Sequence, residues 1–153
     1  MNTQDQEVRI KKAYAEADRE MRLRQSKIGC VLLLILVPAG IALDYFVYPE
    51  HLPDFTLMRL LSDAFIALVL ALLVSPWGRR LVRPLTLSWL MSAVLMISYM
   101  IYLTEGETST YYAGISLTIV AIGILLPLTV TEVFGFSVLA IGIYCLACYL
   151  HSG

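Results

Sequence analysis

The sequence lacks the features of an enzyme, a disulfide-linked domain or a nucleic-acid-binding protein. It contains no glycine-rich phosphate-binding loop, no HExxH and no GxSxG, and no soluble stretch long enough for a catalytic domain, so we expect no enzymatic activity from these residues. The three cysteines lie inside apolar stretches, which does not indicate a disulfide framework. No basic surface interleaved with aromatic residues suggests nucleic-acid binding.

Long apolar stretches are abundant instead. Five of them lie at about 28–48, 55–75, 85–103, 111–128 and 133–150. Each is close to the ~20 residues that a helix needs to cross about 30 Å of hydrocarbon, and none alternates like a barrel strand. With 59% hydrophobic and 15% charged residues, the sequence predicts an all-α, polytopic transmembrane bundle of five spans at 28–153, preceded by a charged helix at 1–27.

The basic residues predict the orientation of this bundle. Seven of the 11 precede the first span, and Arg79, Arg80 and Arg83 follow the second. The positive-inside rule then places the N-terminus and the 75–84 segment in the cytoplasm, and the 49–54 and 104–110 loops outside. We expect an integral membrane protein, with lipid as its surroundings. The odd number of spans suggests a fragment, and a complete five-span protein is the alternative.

The charged segment before the first span does not resemble a secretory signal peptide, because it is long and carries acids among its bases. A weak heptad seam runs through Ile10, Tyr14, Ala17, Met21 and Ile28. We favour a solvated helix leading into the membrane. A dimerising helix continuous with the first span is the alternative.

Ionisable residues inside the spans are the main candidates for a ligand-binding or switch site. Arg59 and Asp63 lie four residues apart on one face of the second span, and Asp44 lies near the outer end of the first. Charged groups at such depth normally face the bundle interior. A structural ion pair is the alternative. Pro38 removes a helical hydrogen bond and Gly40 permits close approach of a neighbour, which predicts a hinge.

Aromatic and histidine side chains gather at the predicted outer face. Of the nine tyrosines, Tyr14 alone falls elsewhere. An interfacial belt accounts for most of this pattern, and an outward-facing pocket involving Tyr48, Tyr111 and Tyr112 would also fit. His51 and His151 fall at the same face, where a metal or haem site is one interpretation and interfacial histidines without a ligand are the other.

Three short segments carry a resemblance to a known protein family. They are Leu43-Asp44-Tyr45-Phe46-Val47-Tyr48-Pro49-Glu50-His51, Tyr111-Tyr112-Ala113-Gly114-Ile115 and Leu126-Pro127-Leu128. Together they resemble the N-terminal membrane-embedded sensor domain of bacterial sensor histidine kinases and membrane-bound class III nucleotide (adenylate) cyclases, over about residues 28–151. In that family six helices precede a coiled-coil linker and a cytoplasmic kinase or cyclase, whereas this chain ends after the fifth. The resemblance implies a location in a bacterial inner (plasma) membrane, signal transduction as in a two-component system, and a homodimer. It identifies no ligand-binding residue.

Two functions from different classes follow. The first is a sensor or receptor, in which a small-molecule ligand at the outer half alters helix packing and biases a cytoplasmic effector domain that is not in this chain. The second is a small ion- or proton-coupled transporter or channel subunit that uses the Arg59/Asp63 pair. A purely structural assembly subunit is a third possibility.

Overall fold

The computed structural model describes residues 3–152, and within them every regular element is helical, which confirms the predicted all-α class. Five α-helices follow one another along the chain. They are α1 (Thr3–Val47), α2 (Leu52–Val74), α3 (Gly78–Leu103), α4 (Tyr112–Leu125) and α5 (Val130–Ser152). Short 3₁₀ turns at Pro49–His51 and Gly106–Thr108 lie between α1 and α2 and between α3 and α4. The short first turn makes α1 and α2 antiparallel neighbours.

Helix α1 is a single element that includes both the charged segment and the first span. Its 45 residues correspond to about 68 Å at 1.5 Å per residue, more than twice the thickness of the hydrocarbon core. The helix is not interrupted at Pro38. Most side chains in its first five turns are exposed. The charged helix is therefore continuous with the first span and extends well beyond the bundle.

Four of the helices are long and apolar enough to cross a membrane, namely α1, α2, α3 and α5. Their outer surfaces expose large apolar side chains, including Phe46, Leu68 and Phe134, as expected when lipid is the solvent. Trp89, Leu90 and Val94 of α3 lie in the main buried cluster with Cys30 of α1 and Ile66 of α2. The same cluster includes Ile122 of α4 and Phe136 of α5, so the chain is a membrane protein whose core centres on α3 and draws on all five helices.

The fourth predicted span requires a correction. Helix α4 has only 14 residues, about 21 Å, and ends at an extended Leu126. Pro127 explains this end, because proline disfavours helical geometry in the preceding residue and has no N–H of its own. The backbone N–H groups of Leu126 and Leu128 donate to Ile122 O and Leu126 O, at 3.3 and 2.8 Å. A short non-helical segment thus joins α4 to α5, and the backbone N–H groups of Leu126 and Leu128 in it are satisfied.

The two ends of the bundle differ in chemistry. At the end that we call the basic end, Arg22 lies close to Glu132, and Arg79 to Glu20. At the opposite end, which we call the aromatic end, Tyr111 bonds to Asp44, and His151 to Tyr102. These contacts place the 75–84 and 126–132 segments at one end and the 48–51 and 104–111 segments at the other.

A polar contact in the core fixes α1 against α3. The Ser26 Oγ accepts a hydrogen bond from the indole N–H of Trp89 at 2.9 Å and lies 3.0 Å from Thr86 Oγ1. All three residues are buried. A Cβ on Gly29 would lie 2.8 Å from the Trp89 ring, so this glycine allows the close approach. This contact lies nearer the basic end.

Candidate functional site

A buried ion pair joins α1 to α2 near the aromatic end. The guanidinium of Arg59 binds the carboxylate of Asp44 in a fork, with Nε donating to Oδ2 at 2.7 Å and Nη2 to Oδ1 at 2.8 Å. Asp44 is 0% exposed and Arg59 is 8% exposed. Of the three ionisable residues named from the sequence, Arg59 and Asp44 are thus paired, whereas Asp63 Oδ1 has no hydrogen-bond partner among the described residues. The antiparallel α1–α2 arrangement offers Arg59 a two-bond partner across the helix interface instead.

Two further groups complete this site. Arg59 Nη1 donates to the carbonyl of Val37 at 3.1 Å, and the hydroxyl of Tyr111 donates to Asp44 Oδ1 at 2.6 Å. A buried ion pair is stable only when additional hydrogen bonds satisfy its remaining donors and acceptors, and these two bonds do so. We refer to Asp44, Arg59, Tyr111 and the Val37 carbonyl as the Asp44 network. It connects α1, α2 and the segment that leads into α4.

Gly40 leaves the space that the network occupies. A Cβ at this position would overlap the guanidinium of Arg59. Gly40 is buried on the α1 face that meets α2. The hinge predicted at Pro38 and Gly40 stays a prediction. Because Gly40 has no side chain, the guanidinium of Arg59 can enter the interior of the α1–α2 interface.

Aromatic rings pack around the network at the aromatic end. The ring centroids of Tyr48 and Tyr111 lie 5.5 Å apart, and Phe55 meets both rings edge-on. His51 stacks on Phe55 with centroids 5.6 Å apart. Tyr112, which the sequence grouped with these residues, is 55% exposed instead. Tyr48 and Tyr111 thus belong to one cluster, and Tyr112 lies on the surface beside it.

Asp63 lies outside the network, one helical turn from Arg59. Its Oδ1 is buried and has no hydrogen-bond partner among the described residues. The hydroxyl oxygens of Ser62 and Ser98 are also buried and likewise have no hydrogen-bond partner there. Ser62 and Ser98 line an otherwise apolar groove of about 620 Å³ between α2, α3 and α5. The second helix therefore carries, one turn beyond Arg59, an acid whose buried Oδ1 finds no hydrogen-bond partner among residues 3–152.

The histidines do not assemble a metal site in the described part of the chain. His151 Nδ1 lies 2.9 Å from the carbonyl oxygen of Tyr102, and its ring lies against Gly106. Among residues 3–152, no group of three or more His, Cys, Asp or Glu side chains is arranged to hold a metal ion. The proposed ligand role of His51 and His151 gains no support from this geometry.

A second ionic cluster, at the basic end, was not predicted. Arg22 is buried and donates to Asp18 Oδ2 at 2.8 Å and to Glu132 Oε2 at 2.9 Å. Glu132 also accepts from the backbone N–H of Thr129 at 2.8 Å, while Thr129 Oγ1 accepts from the N–H of Glu132 at 3.3 Å. This is a capping box, and its signal was present in the sequence as Thr-x-x-Glu ahead of an apolar run. Nothing in the sequence indicated that Arg22 would reach it.

Comparison of the chain with protein-family models, curated proteins and solved structures finds no match. The resemblance to kinase and cyclase sensor domains therefore stays a prediction from short segments, and function has to be argued from the site itself.

Proposed function

We propose that this chain is a membrane sensor or receptor module in which the Asp44 network is the switch and α1 is the transmitting element. The observation that carries the proposal is the continuity of α1. One unbroken helix bears Asp44 near one end and an exposed, charged extension at the other. A change in how α1 packs at the aromatic end would be carried along a rigid helix to the far side of the membrane.

The chemistry of the network supports a two-state element. Its charged groups are satisfied in the packed form, and any ligand that offers an alternative partner to Asp44, Arg59 or Tyr111 would release α1 from α2 and from the α3–α4 segment. Such a ligand shifts the equilibrium only if its affinity differs between the two packings. A small polar molecule arriving at the aromatic end fits this requirement.

The extension of α1 supports two proposed partners, namely a second copy of this chain and a cytoplasmic effector domain. Ile10, Tyr14 and Met21 of the heptad seam are 49%, 74% and 53% exposed. Exposed apolar side chains at heptad spacing are where the extension of a second copy would pack. The effector would respond to the spacing or rotation of the paired extensions, on the cytoplasmic side of a bacterial inner membrane if the positive-inside rule holds.

The orientation has a direct test. In a chain whose native cysteines are replaced, a membrane-impermeant maleimide should not label a cysteine placed at Tyr14 in intact cells, and should label it after lysis. Labelling of intact cells would show that the extension lies outside and would contradict the orientation.

The switch has a test with a closely matched control. A cyclase catalytic domain that requires dimerisation is fused in helical register to the start of α1, and its basal activity is measured. Tyr111→Phe removes one hydrogen bond to the buried carboxylate and should change the activity. Tyr112→Phe removes the same atom from an exposed neighbour and should not. Equal activity of both variants and the parent fusion would overturn the proposed switch.

Asp63 supports a second candidate, a proton-coupled transporter or channel subunit. A buried carboxylate oxygen without a partner in a membrane helix is the setting in which proton relays are found. In liposomes with a pH gradient, this function predicts a proton flux that Asp63→Asn abolishes and Glu50→Gln leaves unchanged. No flux from the parent protein would remove this candidate without affecting the sensor proposal.

A further inference from the structure

A cleft lined largely by arginines lies at the basic end, between the extension of α1 and the start of α3. Its volume is about 530 Å³. Guanidinium groups from both helices border it, together with one carboxylate. The charged lining residues are Asp18, Arg19, Arg22, Arg79, Arg80 and Arg83.

Most of these guanidiniums retain the capacity to bind an anion. Arg22 is the exception, because its guanidinium already donates hydrogen bonds to the carboxylates of Asp18 and Glu132. Arg83 lies 3.8 Å from Glu132 and Arg79 lies 4.0 Å from Glu20, which is too long for a hydrogen bond. The side chains of Arg83 and Arg79 remain 63% and 70% exposed. The carboxylates of Asp18, Glu20 and Glu132 offset part of the charge of the five arginines, and an anion in the cleft would offset the remainder.

The position of the cleft matches the headgroup layer of a bilayer. Arg22 precedes the first apolar residue of the span by six residues, about 9 Å along the helix, and the headgroup layer begins where the hydrocarbon ends. Trp77, beside Arg79 in the chain, is 63% exposed, as is common for tryptophan at the membrane interface. The cleft therefore opens at the depth where lipid phosphates lie.

We propose that this cleft binds the phosphate headgroup of an anionic phospholipid. The planar guanidinium fork matches phosphate oxygens in two-bond geometry, and basic pockets between helices at the cytoplasmic interface are suited to such headgroups. Arg79, Arg80 and Arg83 supply the phosphate contacts from one short segment, while Arg19 closes the cleft from α1. The bound lipid holds the extension of α1 against the start of α3.

The test uses the full chain in detergent micelles and measures binding by native mass spectrometry and by the rise in melting temperature. The probes are phosphatidylglycerol, phosphatidylcholine and soluble glycerol phosphate. We expect selective binding of phosphatidylglycerol. The Arg79→Gln/Arg80→Gln/Arg83→Gln variant should bind it roughly hundredfold more weakly, because it removes three cations that contact the phosphate.

A matched control removes the same charge elsewhere. Arg9→Gln/Lys11→Gln/Lys12→Gln alters the distal extension and should bind phosphatidylglycerol like the parent chain. Equal losses in both variants would show diffuse attraction and overturn the site, as would equal binding of phosphatidylcholine. Equally tight binding of glycerol phosphate would contradict a lipid as the ligand. If the first variant fails to fold, Arg→Lys replacements at the same positions keep the charge, and unchanged affinity there would contradict recognition by the guanidinium fork.

Discussion

Asp44 and Arg59 are tolerated inside an apolar bundle because each satisfies the other. The desolvation of two charges costs several kcal/mol per ion, and only good geometry and extra hydrogen bonds offset it. Here the fork provides two bonds, and Tyr111 and the Val37 carbonyl provide two more. The network is consequently sensitive to the loss of any one member, which is a property expected of a switch.

Loss of one charge should be more damaging than loss of the whole network. Asp44→Asn leaves the buried guanidinium without its counter-charge and should lower the free energy of unfolding by about 3–5 kcal/mol. The triple replacement Asp44→Leu/Arg59→Met/Tyr111→Phe removes every charge and should be less destabilising than Asp44→Asn alone. Reversible unfolding in mixed micelles measures both. Glu50→Gln, at an exposed position, should lie within about 0.5 kcal/mol of the parent protein. A triple variant less stable than Asp44→Asn would contradict this energetic account.

Gly40 should be difficult to replace, because a side chain there would meet the network itself. Gly40→Ala places a methyl group where the guanidinium of Arg59 lies, and should cost about 2 kcal/mol or more through loss of the fork. Gly142→Ala is the matched control, because a Cβ there meets nothing within 4 Å. It should be neutral or stabilising by up to about 1 kcal/mol. The same unfolding measurement compares the two, and equal effects would show that Gly40 is not tightly enclosed.

At the scale of single residues, the sequence located the site but not its connections. The presence of Asp44 and Arg59 within apolar stretches was enough to mark them, since charges are rare at such depth. The sequence could not predict that Asp44 and Arg59 pair with each other, because Asp63, four residues after Arg59 on the same helix, is an equally good partner on spacing alone. The choice depends on how close α1 and α2 approach, which Gly40 determines.

The helices are held to one another by a few polar contacts among many apolar ones. Ser26 ties α1 to α3 near the basic end, as the Asp44 network ties α1 to α2 near the aromatic end. Helix α1 is thus held by polar contacts at two positions along its length, one near each end of the bundle. If the network is the switch, the Ser26 contact is the point about which α1 would pivot.

Ser26→Ala should weaken this pivot. It leaves the buried indole N–H of Trp89 without an acceptor, which should cost about 1–3 kcal/mol in the free energy of unfolding. The emission of Trp89 should also change as its hydrogen bond is lost. Ser116→Ala, at an exposed serine of α4, is the control and should change neither quantity. Unchanged stability of Ser26→Ala would show that the contact does not hold α1 and α3 together.

The boundaries of the second and fifth helices were predicted well, whereas the third helix begins at Gly78, before the predicted start at 85, and the fourth ends before Pro127. The second and fifth spans were predicted at 55–75 and 133–150 and are observed at Leu52–Val74 and Val130–Ser152. The fourth is shorter than predicted because hydropathy continues through Leu126 and Leu128 while Pro127 prevents helical geometry. Apolar composition indicates that a segment is buried in lipid or protein, but it does not indicate whether the backbone of that segment is helical.

The whole molecule is a membrane-embedded bundle with one helix that continues far outside it. The buried Asp44–Arg59 pair lies at the aromatic end, and the arginine cleft lies at the basic end. Helix α1 passes through both sites. A ligand at one end and a phospholipid at the other would therefore act on the same element, and each would influence the other through the position of α1.

Spin-label distance measurement tests this coupling most directly. Nitroxides are attached to cysteines placed at Tyr14 in the extension and at Thr131 at the start of α5, both exposed, after replacement of the three native cysteines. Pulsed EPR then gives the distance distribution in nanodiscs. The account predicts that Tyr111→Phe, at the opposite end of the bundle, shifts or broadens this distribution, while Tyr112→Phe does not. Identical distributions in all three proteins would contradict the claim that the Asp44 network controls the position of α1.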